Sequence, residues 1–125
     1  MALSTRDGFY RREGAPRCKK FLDAGSDTVA VGDAMQFKEG SGSVTLITAA
    51  GQEVVGIALE ASTSASTAPI LLDLVFPGDV FEAKIGTGTM AAAEVGDEAD
   101  FADEDALTLT ESSGDVTIVG WDGVN

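Results

Sequence analysis

From Thr28 onward the chain alternates apolar and polar positions in short runs, cut at close intervals by glycine and aspartate. Alternation with a period of two places successive side chains on opposite faces of a strand, so these runs predict half-buried β-strands. Thr28–Val31 is apolar and β-branched, Gly32-Asp33 turns the chain, and Ala34–Lys38 alternates. Gly40-Ser41-Gly42 supplies the next turn, and Ser43–Thr48 alternates again with Val44 and Leu46 on one face. Glu53–Leu59 is a further strand, in which Gly56 marks a bulge or a close approach of another backbone. Ile70–Phe76 predicts the most buried strand, closed by Pro77-Gly78-Asp79 and paired with Val80–Lys84 as a hairpin. Thr89–Ala93, Glu98–Phe101, Leu107–Thr110 and Val116–Trp121 complete the series. About nine or ten short strands at near-regular spacing predict an all-β protein, a small β-sandwich or β-barrel. Only Met90–Val95 competes for helix, and alanine-rich text between glycines is a weak helix signal.

The pattern occurs twice. Val31-Gly32-Asp33 with Phe37, then Val44-Thr45-Leu46, then Val55-Gly56-Ile57, returns as Val95-Gly96-Asp97 with Phe101, Leu107-Thr108-Leu109 and Val119-Gly120-Trp121. The offsets are 64, 63 and 64 residues. Two copies are fewer than a solenoid needs, so the reading is an internal two-fold sequence repeat, with halves at about 28–60 and 92–122. The Gly-Asp steps at Gly32, Gly78 and Gly96 are turn chemistry: glycine admits positive φ and aspartate bonds the amides beyond it. None of the repeated residues is a nucleophile, a base or a soft metal ligand. The repeat describes a scaffold.

Residues 1–27 show neither period. They mix charge with Gly8, Gly14, Pro16 and the pair Phe9-Tyr10, and predict an extended N-terminal arm ahead of a β domain over 28–125. Charge marks the same division. Residues 1–20 hold six of the eight cations and two acids, whereas the remainder holds two cations and nineteen acids. A body this acidic is repelled by nucleic acid and by anionic membranes, and a short basic arm on it reads as an interaction tail. Apolar residues make up 44% of the chain and aromatic ones 6%, a thin core that burial between copies would supplement. No run approaches the roughly 18 apolar residues of a membrane span. Arg6, Arg11 and Arg12 stand where a signal peptide needs an apolar segment, so synthesis in a cytoplasm is expected.

Candidate chemistry is sparse. Histidine is absent, and so are the nucleophile-elbow, Walker and dinucleotide glycine motifs. Catalysis, a cofactor and a metal are therefore not expected. Cys18 stands alone beside Arg17, Lys19 and Lys20, which would favour its thiolate, but no histidine exists to activate it. In the acidic cluster Asp97, Glu98, Asp100, Asp103, Glu104 and Asp105, three residues (100, 103 and 105) offer hard oxygens for Ca²⁺. Their spacing is not that of an EF-hand loop, and a solvated loop is the plainer expectation.

Val-Ala-Val-Gly-Asp (29–33), Val-Val-Gly-Ile-Ala-Leu-Glu (54–60), Pro-Gly-Asp-Val-Phe (77–81), the second Val-Gly-Asp and the closing Val-Gly together resemble the small capsid decoration (cement) proteins of tailed bacteriophages. The resemblance covers about residues 28–122. It implies a non-enzymatic β-rich protein that trimerises on the outer capsid surface of a virion and clamps neighbouring copies of the major capsid protein. In such proteins an N-terminal arm commonly orders against the coat. The arm here matches no family motif. Its expected coat contacts are the anchors Phe9, Tyr10 and Phe21, with Arg6, Arg11, Arg12 and Arg17 pairing to carboxylates or carbonyls. Two rival readings are a fibre or adhesion module that binds carbohydrate through the Ala61–Ala68 loop and Trp121, and a small ligand- or Ca²⁺-binding barrel.

Overall fold

Ala34 and Met35 are neighbours on one strand and both are fully buried, each in a different hydrophobic core. Successive strand residues face opposite ways, so this strand lies between two layers. The computed structural model describes residues 7–25, 27–63, 67–110 and 113–120. Eleven strands occur among them. They are β1 (Tyr10–Glu13), β2 (Cys18–Leu22), β3 (Ala34–Phe37), β4 (Val44–Leu46), β5 (Gly56–Ala58) and β6 (Pro69–Leu74), then β7 (Val80–Glu82), β8 (Ile85–Thr87), β9 (Glu98–Phe101), β10 (Leu107–Thr108) and β11 (Val116–Thr117). The protein is all-β. Within the alanine-rich segment the chain makes only a 3₁₀ turn, Ala92–Glu94.

The first sheet runs β2-β6-β5-β3-β4 with every pair antiparallel. Just beyond β2 the chain reaches the opposite edge, where Asp23 bridges Val44 and the Ala24 amide donates to the Val44 carbonyl at 2.9 Å. The Asp27 carboxylate holds the same seam by accepting from the Thr45 hydroxyl at 2.5 Å. With its edges joined there, the sheet curls around Met35, Val44, Leu46, Ala58, Ile70 and Leu72. Buried Asp23 accepts from the Gly25 amide and the Ser62 hydroxyl, as a buried carboxylate must. The close approach expected at Gly56 is present: a Cβ there would stand 2.8 Å from the Asp73 carbonyl oxygen.

The second sheet, β11-β9-β10-β8, is antiparallel except where β8 pairs parallel with β10. A second core joins the two sheets: Ala34, Ile47 and Ile57 from the first unit meet Ala99, Phe101, Leu107 and Ile118 from the second. The two sheets share a three-strand unit, β5-β3-β4 in one and β11-β9-β10 in the other. Phe37 faces Val44 across β3 and β4 as Phe101 faces Leu107 across β9 and β10. Gly32 and Gly96 both adopt φ 98° in the turn before the central strand. Gly32 exchanges amide hydrogen bonds with Ala58 through the pair Gly32→Ala58 and Ala58→Asp33, both 2.8 Å. Gly96 does the same with Ile118, at 2.7 and 2.8 Å. The third landmark needs correction, because pairing equates Gly56 with Val116 and Ala58 with Ile118, an offset of 60 residues. The loop before β11 is shorter than the one before β5, so Val119-Gly120 falls past the strand.

Three further expectations change. Over its described part, the N-terminal segment is no separate arm: β1 pairs with β7 and β2 with β6, while Phe9 enters the core between the sheets. Its apolar content is low, yet one well-placed aromatic ring and two paired backbones suffice to build it in. Removing residues 2–20 would take out β1 and Phe9 entirely and three of the five paired residues of β2. The expected hairpin of 70–76 with 80–84 does not form. Pro77-Gly78-Asp79 does turn the chain, with the Asp79 amide on the Phe76 carbonyl at 3.1 Å, but β6 pairs with β2 and β5. Thr28–Val31 is a single bridge, Val29 to Ser62, and not a strand.

Candidate interaction surface

The residues expected to contact the coat divide sharply. Arg6 lies outside the described residues. Phe9 is 5% exposed and meets Phe101 edge-on at 5.5 Å, so it is a core residue in this fold. Tyr10, on β1, donates from its hydroxyl to the Asp7 carbonyl at 2.7 Å and lies against Gly32. Arg11 is spent on the fold. Its Nε and Nη2 donate to Asp73 at 2.9 and 2.8 Å, Nη1 reaches Asp79 at 3.1 Å, and the guanidinium lies 4.8 Å from the Phe81 ring centre. These hydrogen bonds, with Asp73 first and Asp79 next, raise the Arg11 pKa above its already high value. Arg11 in turn, with the Phe76 amide, holds Asp79 below the usual carboxylate range. Phe9 and Arg11 are thus removed from the coat-contact set for the folded chain.

Arg12, Arg17 and Phe21 remain at the surface or half-buried. Arg12 makes one long ion pair, 3.8 Å to Glu82. Arg17 stacks over Phe76 at 4.4 Å. Phe21 meets Phe37 edge-on at 5.4 Å and carries the Lys19 ammonium 5.6 Å from its ring centre. Phe76 beside Arg17, Phe37 beside Phe21, and Leu22 on the opposite face of β2 from Phe21 are all substantially exposed. Phe37, Phe76, Lys19 and Lys20 escaped sequence reasoning. The available signal for the lysines was the run of cations Arg17, Lys19 and Lys20 ahead of Phe21, which here marks a surface strand.

Two other exposed apolar pairs occupy matching places in the two units. Val31 and Leu59 flank the Gly32–Ala58 bonds, and Val95 and Val119 flank the Gly96–Ile118 bonds. Acids surround the second pair at Glu94, Asp97 and Glu98. The acidic cluster does not act as one group. Asp100 is fully buried and accepts from the amides of Ser113, Gly114 and Asp115, bracing the turn before β11. Asp103 accepts from the Asp105 amide at 3.1 Å. Burial, the hydrogen bond with Asp103 and the nearby charges of Asp103, Asp7 and Glu104 push the Asp105 carboxyl up to about 6. Among the described residues no three acidic, cysteine or histidine side chains converge as metal ligands.

A shallow groove of about 520 Å³ adjoins the Ser/Thr-rich loop, between Thr28-Val29, Glu60–Thr63 and Ala68–Ile70. Among the described residues no aromatic ring lines it, so this groove offers a sugar no stacking platform from them. Residues 64–66 of that loop and Trp121 lie outside the described set. No protein-family model, curated protein or solved structure matches the chain.

Proposed function

We propose that this chain is a non-enzymatic structural protein that binds the outer surface of a phage capsid and stabilises contacts between coat subunits. One observation supports this most. After both cores are built, exposed apolar side chains remain at several places: Phe76 under Arg17, Phe37 against Phe21, Leu22 at the end of β2, Val31 with Leu59, and Val95 with Val119 among acids. Scattered single apolar residues need no explanation, but patches rimmed by charge are the usual anatomy of protein contacts. A protein wedged between copies of itself and a coat lattice needs several such surfaces. The sequence resemblance to capsid decoration proteins supplies the partner, the major capsid protein, and the number of copies, a homotrimer in the assembled state. Arg12, Arg17 and Phe21 are accessible to another protein and stay among the proposed contacts.

Co-sedimentation with purified empty capsids tests the reading. Binding that saturates at a fixed number of chains per capsid is the expected result. A chain that stays in the supernatant, or that selects a glycan on an array instead, overturns it.

A further inference from the structure

The loop between β9 and β10 is seated on the rest of the molecule by its backbone. The Gly8 amide donates to the Asp105 carbonyl and the Ala34 amide to the Glu104 carbonyl, both at 2.8 Å. Two successive carbonyls thus hold the N-terminal segment on one side and the start of β3 on the other. The ends of the loop are fixed separately. The Ala102 amide donates to the Ala106 carbonyl, the Leu107 amide to the Lys84 carbonyl and the Phe101 amide to the Asp115 carboxylate, each at 3.0 Å. Ala106 is buried, whereas Ala102, Asp103, Glu104 and Asp105 are half-buried, and none of these four belongs to either core. Lifting 103–105 would break the bonds to Gly8 and Ala34 and take no apolar side chain out of a core.

Carboxyl groups from three elements meet at this seat. Asp103, Glu104 and Asp105 come from the loop, Asp33 from the turn before β3 and Asp7 from the N-terminal segment. Among the described residues one cation faces them, Lys84 just before β8. Its ammonium pairs with Asp7 at 2.7 Å, and that bond, with the charges of Asp7, Asp105 and Asp103, raises its pKa. The pair is exposed, so water screens it. The Tyr10 hydroxyl donates to the Asp7 carbonyl. Burial first, then Asp103, Asp7 and Glu104, pushes the Asp105 carboxyl up to about 6. Burial also raises the Asp33 carboxyl, with Glu104 and Asp103 adding to it against the Ala30 amide. Each carboxyl that ionises here does so in a partly dehydrated seat and against like charge.

We propose that the 102–106 loop is an acid-closed strap, which lies on Gly8 and Ala34 when protonated and lifts from them about its fixed ends when ionised. The seated loop holds Asp105 against other acids, while the lifted loop returns its carboxyl to water. Seating therefore binds a proton and lifting releases one. The lifted population grows as pH rises from the ordinary carboxyl range to about 6, and levels off above it. One carboxyl moving between about 6 seated and 3.8 lifted changes the lifting equilibrium about tenfold between about pH 5 and about pH 7.5. Asp33 stays on its turn when the loop lifts, and its relief from Glu104 and Asp103 acts in the same direction. The lifted state bares the Gly8 and Ala34 amides beside the turn at Gly32. The strap does not depend on the proposed capsid contact.

Amide hydrogen exchange of the full chain tests it, at about pH 5 and about pH 7.5, with each rate divided by that of the unfolded amide at the same pH. Four amides of one region give the readout. Gly8 and Ala34 donate to the loop, whereas the Phe9 amide donates to the Gly32 carbonyl at 2.8 Å and the Ile47 amide to the Ala34 carbonyl at 2.9 Å. Protection of Gly8 and Ala34 should fall about tenfold from the lower pH to the higher, while Phe9 and Ile47 keep theirs. Asp105→Asn keeps the shape of the side chain and cannot ionise, so in that variant Gly8 and Ala34 should stay protected at both pH values. An equal loss at all four amides overturns the strap, because the whole N-terminal segment or the whole fold would then be opening. Unchanged protection of Gly8 and Ala34 in the parent chain, or a pH response that survives in Asp105→Asn, overturns it too. No capsid is present in this assay, so its result leaves the coat reading to stand or fall on capsid binding alone.

Discussion

Phe9 and Arg12 stand three residues apart on the N-terminal segment, and the fold uses them in opposite ways. Phe9 fills the core between the sheets against Phe101, whereas Arg12 is 55% exposed and makes one long ion pair. Phe9→Ala should cost about 3–5 kcal/mol in urea unfolding, the range for emptying a core aromatic site. Arg12→Ala should stay within about 0.5 kcal/mol. A second residue-scale prediction concerns Asp105, whose folded pKa is raised by burial and by the neighbouring acids Asp103, Asp7 and Glu104. Between its unfolded pKa and about 6 the folded chain binds more protons than the unfolded one, so stability falls as pH rises through that window. Asp105→Asn should raise the melting temperature by a few degrees at pH 7 and change little at pH 4. A stabilisation equal at both pH values would show that the carboxyl is not held in its neutral form.

The two three-strand units allow a matched experiment. Gly32 and Gly96 both hold φ 98°, which costs any L side chain, but their surroundings differ. A Cβ at Gly32 would stand 3.0 Å from the Tyr10 hydroxyl and 3.4 Å from Gly8, whereas a Cβ at Gly96 meets open space. Gly96→Ala should cost about 1–2 kcal/mol from backbone strain alone, and Gly32→Ala more, by about 1 kcal/mol of displaced packing. Equal losses in chemical denaturation would mean that Tyr10 yields without cost. In these units β4 was the most legible strand in the sequence, because it buries alternate positions: Val44 and Leu46 point inward around half-buried Thr45. β3, β5 and β9 bury consecutive residues between two layers, and their flanking glycine turns marked them. β1 and β2 were not legible, since their exposed cations mask any period and their partners lie over fifty residues away, at Glu82 and Asp73. The true partner of β6 was hidden for a related reason. Its turn at Pro77-Gly78-Asp79 is real, but Arg11, from a distant segment, binds Asp73 and Asp79 on either side of that turn. Of the surface, sequence placed Arg12, Arg17 and Phe21 and missed Lys19, Lys20, Phe37 and Phe76, because exposure of Phe37 and Phe76 depends on where the strands end.

At the scale of the whole molecule, the N-terminal strands are part of the body, so surfaces matter more than a loose tail. A folded chain with apolar side chains exposed at several separate places is suited to wedge between proteins, and this is the basis of the capsid-decoration reading. Imaging empty capsids after incubation with the full-length chain tests that reading most directly. The expected map shows discrete added density at threefold and quasi-threefold positions on the outer surface, with β1 and β2 packed within it. Undecorated capsids at saturating protein, or density scattered without regard to the lattice, would contradict it.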